Sequence, residues 1–88
     1  MKMTEPQRKW LTRLSDGAAH TGGRRAAYNC RCAGWSEFAY QDRATGDYLP
    51  KSHVNALALS PEDRAERFYL SDYEFITDAG RAALASTD

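Results

Sequence analysis

The apolar positions of this chain fall into short periodic stretches separated by turn residues, and each stretch predicts one element. Trp10, Leu11 and Leu14 recur at helical spacing. They follow Thr4 and Gln7, which fit a capping box, and Pro6, which falls in a first turn where a missing N–H costs nothing. A helix is expected over about residues 5–15, ended by Asp16-Gly17, with a loop over 16–23. Residues 24–33 predict a second helix. Ala26, Ala27, Cys30 and Ala33 share one arc of its wheel; Arg24, Arg25, Tyr28, Arg31 and Cys32 lie opposite, with Asn29 at the margin. Gly34 is a natural C-terminal cap, and the small inner face lets this helix sit close to its neighbours.

The second half reads differently. Trp35 to Tyr40 is aromatic and roughly alternating, which predicts a strand. Asp42 to Asp47 is turn-like, Tyr48-Leu49 suits a short returning strand, and Pro50 to Asn55 reads as irregular. Ser60-Pro61-Glu62-Asp63 is a strong helix start, with a serine cap and acids where the dipole favours them. Ala65, Phe68 and Tyr69 then form an apolar stripe, so a helix is expected over about 61–69. Asp72 to Ile76 predicts a strand, and Thr77-Asp78 caps a last helix over about 78–86 with Ala79, Ala82 and Ala83 inward. Phe38 and Phe75 are expected in one core with Ala26, Ala27 and Cys30. The result is a single α+β domain over residues 1–88.

Composition narrows this picture. A chain of 88 residues buries only about 60–65% of its unfolded surface, so partner binding or a homodimer is an expected source of stability. No stretch approaches the roughly 18 apolar residues of a membrane helix, and the start of the chain has no apolar signal core. A bridge between Cys30 and Cys32 would close almost no loop, which points to reduced thiols and a cytoplasmic setting. The net charge is zero, yet unevenly spread. Residues 1–43 carry eight basic groups against four acidic ones, and residues 44–88 reverse that ratio. The first half suits an anionic partner while the second repels one.

The basic helix that ends in Gly34-Trp35 and runs into a strand, residues 24–40, is followed later by the phrase Ile76-Thr77-Asp78-Ala79-Gly80-Arg81-Ala82-Ala83-Leu84. Together they resemble a small winged-helix domain of bacterial or phage type. The resemblance covers under a third of the chain. It implies helices on a two- or three-stranded antiparallel sheet, with a helical insertion between strands. It also implies a small phage or mobile-element regulator that binds duplex DNA. The pattern departs from the family in two places: residues 16–23 are short for a further helix, and the wing would carry the insertion over 42–70.

The face Arg24, Arg25, Tyr28, Asn29, Arg31 is the candidate binding surface. Arginine pairs bidentately with guanine edges or phosphates, and asparagine with adenine. The alternative is a small protein inhibitor from the same genetic setting, such as an anti-CRISPR, acting on a host protein complex. There the acidic second half would mimic nucleic acid, or the aromatic residues would dock. No enzyme and no cofactor are expected. Cys32 with His20 or His53 lacks an orienting group, and Glu62, Asp63 and Glu66 sit where a helix start attracts acids anyway. Cys30 and Cys32 diverge by about 200° on a helix, so metal analysis of the purified protein is expected to find no stoichiometric zinc, and a chelator to leave its melting temperature unchanged.

Overall fold

The computed structural model describes residues 2–86. Thr4 opens α1 (Glu5–Leu14) with a reciprocal box: its hydroxyl accepts from the Gln7 N–H, and the Gln7 side chain accepts from the Thr4 N–H. α2 (Arg24–Cys32) ends at Gly34, whose φ of 79° is open to glycine. Gly34 N–H donates to the Arg31 carbonyl and Trp35 N–H to that of Cys30, the paired bonds of a Schellman ending. The chain reverses there and enters the sheet at once.

That sheet has three antiparallel strands, β1 (Ser36–Asp42), β2 (Tyr48–Pro50) and β3 (Phe68–Ile76), in the order β2-β1-β3. Between β2 and β3 lie α3 (Lys51–Asn55) and α4 (Pro61–Arg67), and α5 (Asp78–Ala85) closes the chain. The loop after α1 adds one rung to the outer edge of β3, where His20 and Glu74 exchange both backbone bonds. Sharing of residues between β1 and β3 slips by two positions between Phe38 and Tyr40, so β3 bulges over residues 71–73.

The main core lies where α1 crosses α2. Trp10, Leu11 and Leu14 pack on Ala27 and Cys30, with Met3, Ala26, Trp35, Ile76 and Leu84 around them. Two glycines permit the close approach. A Cβ on Gly23 would lie 2.5 Å from the Trp10 ring, and one on Gly80 would lie 2.0 Å from the Trp35 carbonyl oxygen. Ala39 and Val54 are also buried, where α3 packs on β1 and β2, and Phe68 is buried at the start of β3 with its ring against that of Tyr40.

Several expectations change. Phe68 and Tyr69 do not extend the helix; α4 stops at Arg67, and both residues enter β3 opposite Asp42 and Gln41. Ladder bonds with β1 outweigh one further helical turn, so the strand starts at 68 rather than 72. Residues 51–55 are a helical turn rather than irregular, because the Glu37 carboxylate accepts from both the N–H and the hydroxyl of Ser52. Phe38 and Phe75 are half-buried and lie outside the main core: the Arg31 guanidinium covers Phe38, and Phe75 faces a cleft with Tyr48 and His53. On α5 the inward residues are Gly80, Ala83 and Leu84, while Ala79 and Ala82 are exposed. Only a residue without a Cβ can face the Trp35 carbonyl, and that fixes the rotation of the helix.

Gly80→Ala must therefore push backbone against backbone. It is expected to cost about 1–3 kcal/mol by overpacking, read as a melting temperature lower by several degrees. Ala82→Ser, at an exposed position of the same helix, is expected to stay within about 0.5 kcal/mol of the parent.

Candidate nucleic-acid interface

α2 presents its first half to solvent. Arg24 and Arg25 are exposed, and Tyr28 is 51% exposed. Arg24 has a φ of 53°, a left-handed conformation that costs a non-glycine residue about 1–2 kcal/mol, and it holds this at the junction of Gly22-Gly23 with the helix. The Arg25 guanidinium lies 5.7 Å from the centre of the Tyr28 ring. The Cys32 thiol beside Tyr28 hydrogen-bonds the phenol and pushes its pKa above the ordinary value, with Arg31 pulling the other way. The phenol is therefore a neutral, flat contact surface at physiological pH.

Arg31 is placed otherwise. Its Nη1 lies 2.5 Å from Glu74 Oε2, and its guanidinium sits 4.1 Å from the centre of the Phe38 ring. The Glu74 side chain is only 4% exposed, and its other oxygen accepts from the Ser36 hydroxyl at 2.9 Å. A buried carboxylate needs such partners, because ionised burial without them is strongly unfavourable. Arg31 thus ties α2 to the sheet and lends Tyr28 a second cation at 5.8 Å. Asn29 is half-buried at the margin of the face. Of the five residues that the wheel groups together, Arg24, Arg25 and Tyr28 face outward, while Arg31 turns to the protein.

Arg13 joins the outward group, and the wheel of α2 could not show it. Its guanidinium lies 5.9 Å from the centre of the Trp10 ring, and that ring is pressed on Gly23, the residue before Arg24. The one sequence signal was Trp10 and Arg13 at a spacing that shares a helix face. Other arginines are occupied within the fold: Arg8 donates to the Leu84 carbonyl, Arg43 to that of Ala65 and Arg81 to that of Ser15. Arg67 pairs with Asp42 at 3.8 Å.

The acids of α4, Glu62, Asp63 and Glu66, are exposed at the far end of the sheet. α2 leads into the start of β1, whereas α4 joins β3 opposite its end, at Asp42. The strand between them spans about 20 Å at roughly 3.3 Å per residue, twice the screening length in ordinary salt. Among the described residues, no group of three or more His, Cys, Asp or Glu side chains is arranged to hold a metal ion, and no helix is long and apolar enough to cross a membrane. Comparison with protein-family models, curated proteins and solved structures finds no match.

The two classes of arginine separate in a stability experiment. Arg31→Ala leaves Glu74 buried without its cation and is expected to cost about 3–5 kcal/mol. Adding Glu74→Gln should recover part of that loss, since the two residues share one interaction. Arg24→Ala and Arg25→Ala are expected to change the unfolding free energy by no more than about 0.5 kcal/mol, read by denaturant titration.

Proposed function

We propose that this is a small winged-helix-like DNA-binding protein, a cytoplasmic regulator of phage or mobile-element type, in which α2 grips duplex DNA. The observation that carries the reading is the exposed run Arg24, Arg25 and Tyr28, continued through Trp10 to Arg13, with the acids of α4 held at the other end of the sheet. A zero net charge then no longer counts against an anionic partner, because the signs are separated in space as well as in sequence.

In this reading Arg24 and Arg25 reach phosphates or base edges, and Arg13 adds a phosphate contact from α1. Tyr28 lays its ring against sugar or base. Arg31 acts as a positioning residue: it sets the angle of α2 through Glu74 and leaves the duplex to its neighbours. The antiparallel pair β1–β3 serves as the wing and rests on the backbone. The competing reading, a protein inhibitor of a host defence complex, draws on the exposed acids of α4 and on Tyr69 and Leu70, which are 41% and 49% exposed.

Electrophoretic mobility shift and fluorescence anisotropy at several salt concentrations decide between them. The wild type should bind duplex DNA with an affinity that falls steeply as salt rises. Arg13→Ala, Arg24→Ala and Arg25→Ala should each flatten the salt slope by about one unit if the residue meets a phosphate, or cost about 1–3 kcal/mol with relaxed specificity if it meets a base. A wild type with no salt-sensitive binding at low ionic strength would reject the DNA reading. Loss of biological effect on mutating Glu62, Asp63 and Glu66 would then support the inhibitor.

A further inference from the structure

We infer that the outer edge of β3 over residues 68–72 is a self-pairing strand, and that two copies of the chain associate there in antiparallel register about Leu70. The inference goes beyond the DNA reading and does not depend on it. It starts from the direction of backbone groups. Asp42 donates its N–H to Asp47, on the β2 side of β1. Alternation then turns Gln41 toward β3, where it faces Tyr69. Leu70, the next residue, points its N–H and carbonyl away from the sheet. Its neighbours at the same parity agree, Asp72 within the bulge included, since the Thr21 hydroxyl reaches its carbonyl on this edge. Phe68 N–H is taken by the Arg64 carbonyl of α4, the Asp72 carbonyl accepts from the Thr21 hydroxyl, and Glu74 bonds His20 with both of its groups.

What remains free on this edge, among the described residues, is the N–H and carbonyl of Leu70, the carbonyl of Phe68 and the N–H of Asp72. This set is self-complementary under a two-fold axis through Leu70. Leu70 N–H of each copy meets the Leu70 carbonyl of the other, and Asp72 N–H of each meets the Phe68 carbonyl of the other. The pair of groups that would have been left over, Phe68 N–H and the Asp72 carbonyl, is the pair the fold already satisfies. A two-fold axis perpendicular to the sheet passes through a residue paired with its own copy, at the centre of a segment of odd length, and residues 68–72 about Leu70 meet that condition.

The side chains fit the same register. Leu70 is 49% exposed and would pack on its own copy at the axis, and Tyr69 is 41% exposed on the opposite face. The His20–Thr21 loop closes one end of the edge and α4 the other, so pairing stops after two-fold closure and cannot propagate into a fibre.

Sedimentation velocity from low micromolar to millimolar concentration tests the inference on the whole chain without DNA. The wild type should shift toward twice its 9.9 kDa mass as concentration rises. Leu70→Asp places like charges across the axis and should stay monomeric throughout, with an unchanged circular dichroism spectrum; Leu57→Asp, at another exposed leucine, should dimerise as the wild type does. A second measurement uses Leu70→Cys in a Cys32→Ser background. Directly opposed residues of a hydrogen-bonded pair stand about 5.5 Å apart at Cα, within disulfide reach, so mild oxidation should give a covalent dimer that Leu57→Cys does not give. A wild type that remains monomeric at millimolar concentration overturns the inference, as does a dimer that survives Leu70→Asp or a Leu70→Cys variant that fails to cross-link.

Discussion

The Glu74 carboxylate is the constraint on which the arrangement of α2 depends. It is buried in the sheet, and its two oxygens are met by one residue of α2, Arg31, and one of β1, Ser36. Its backbone holds the loop before α2 through His20. One residue of β3 therefore fixes the entry to α2, the rotation of α2 and the strand that follows it. The net contribution of a buried ion pair to stability is small, since desolvation offsets most of the attraction. Its contribution to orientation is larger, because Arg31 meets that carboxylate with α2 held at this rotation.

The exposed face follows from this orientation. With Arg31 turned to Glu74, Cys30 and Ala27 fall on α1, and Tyr28 and Arg25 are left outward. Buried Trp10 links this face to the other helix. Its ring fills the space that a side chain at Gly23 would need, and it carries Arg13 to the same edge. The indole Nε1 is buried and finds no acceptor among the described residues, so the ring contributes by shape rather than by hydrogen bonding. Burial also pushes the Cys30 thiol up to about 11, so this cysteine behaves as an apolar core residue while Cys32 stays exposed.

The molecule is elongated, 43 Å along its longest axis and 20–22 Å across. The α1–α2 core and the basic surface share one end. Buried Phe68 supports the start of β3, followed there by the exposed Tyr69 and Leu70. Such a shape leaves two surfaces free to act independently, and the proposed DNA contact of α2 and the proposed strand pairing fall on different ones.

Local chemistry determined much of this by itself. The capping pairs at Thr4, Ser60 and Thr77, the Gly34 ending and the helical spacing of Trp10, Leu11 and Leu14 act over a few residues, so α1, α2 and the starts of α4 and α5 were legible in the sequence. So was the basic character of the α2 face. What the sequence alone did not carry was every choice made by a distant partner. Phe68 and Tyr69 suit a helix or a strand, and β1 decided for the strand. Residues 51–55 have little propensity of their own and needed the Glu37 carboxylate to cap them. Arg31 belongs with Arg24 and Arg25 by its place on the wheel, yet Glu74, 43 residues away, draws it inward. Arg13 joins the surface only because Trp10 packs on Gly23. Periodicity reports which residues share a face, whereas burial of a lone charge and contact across the chain decide what that face meets.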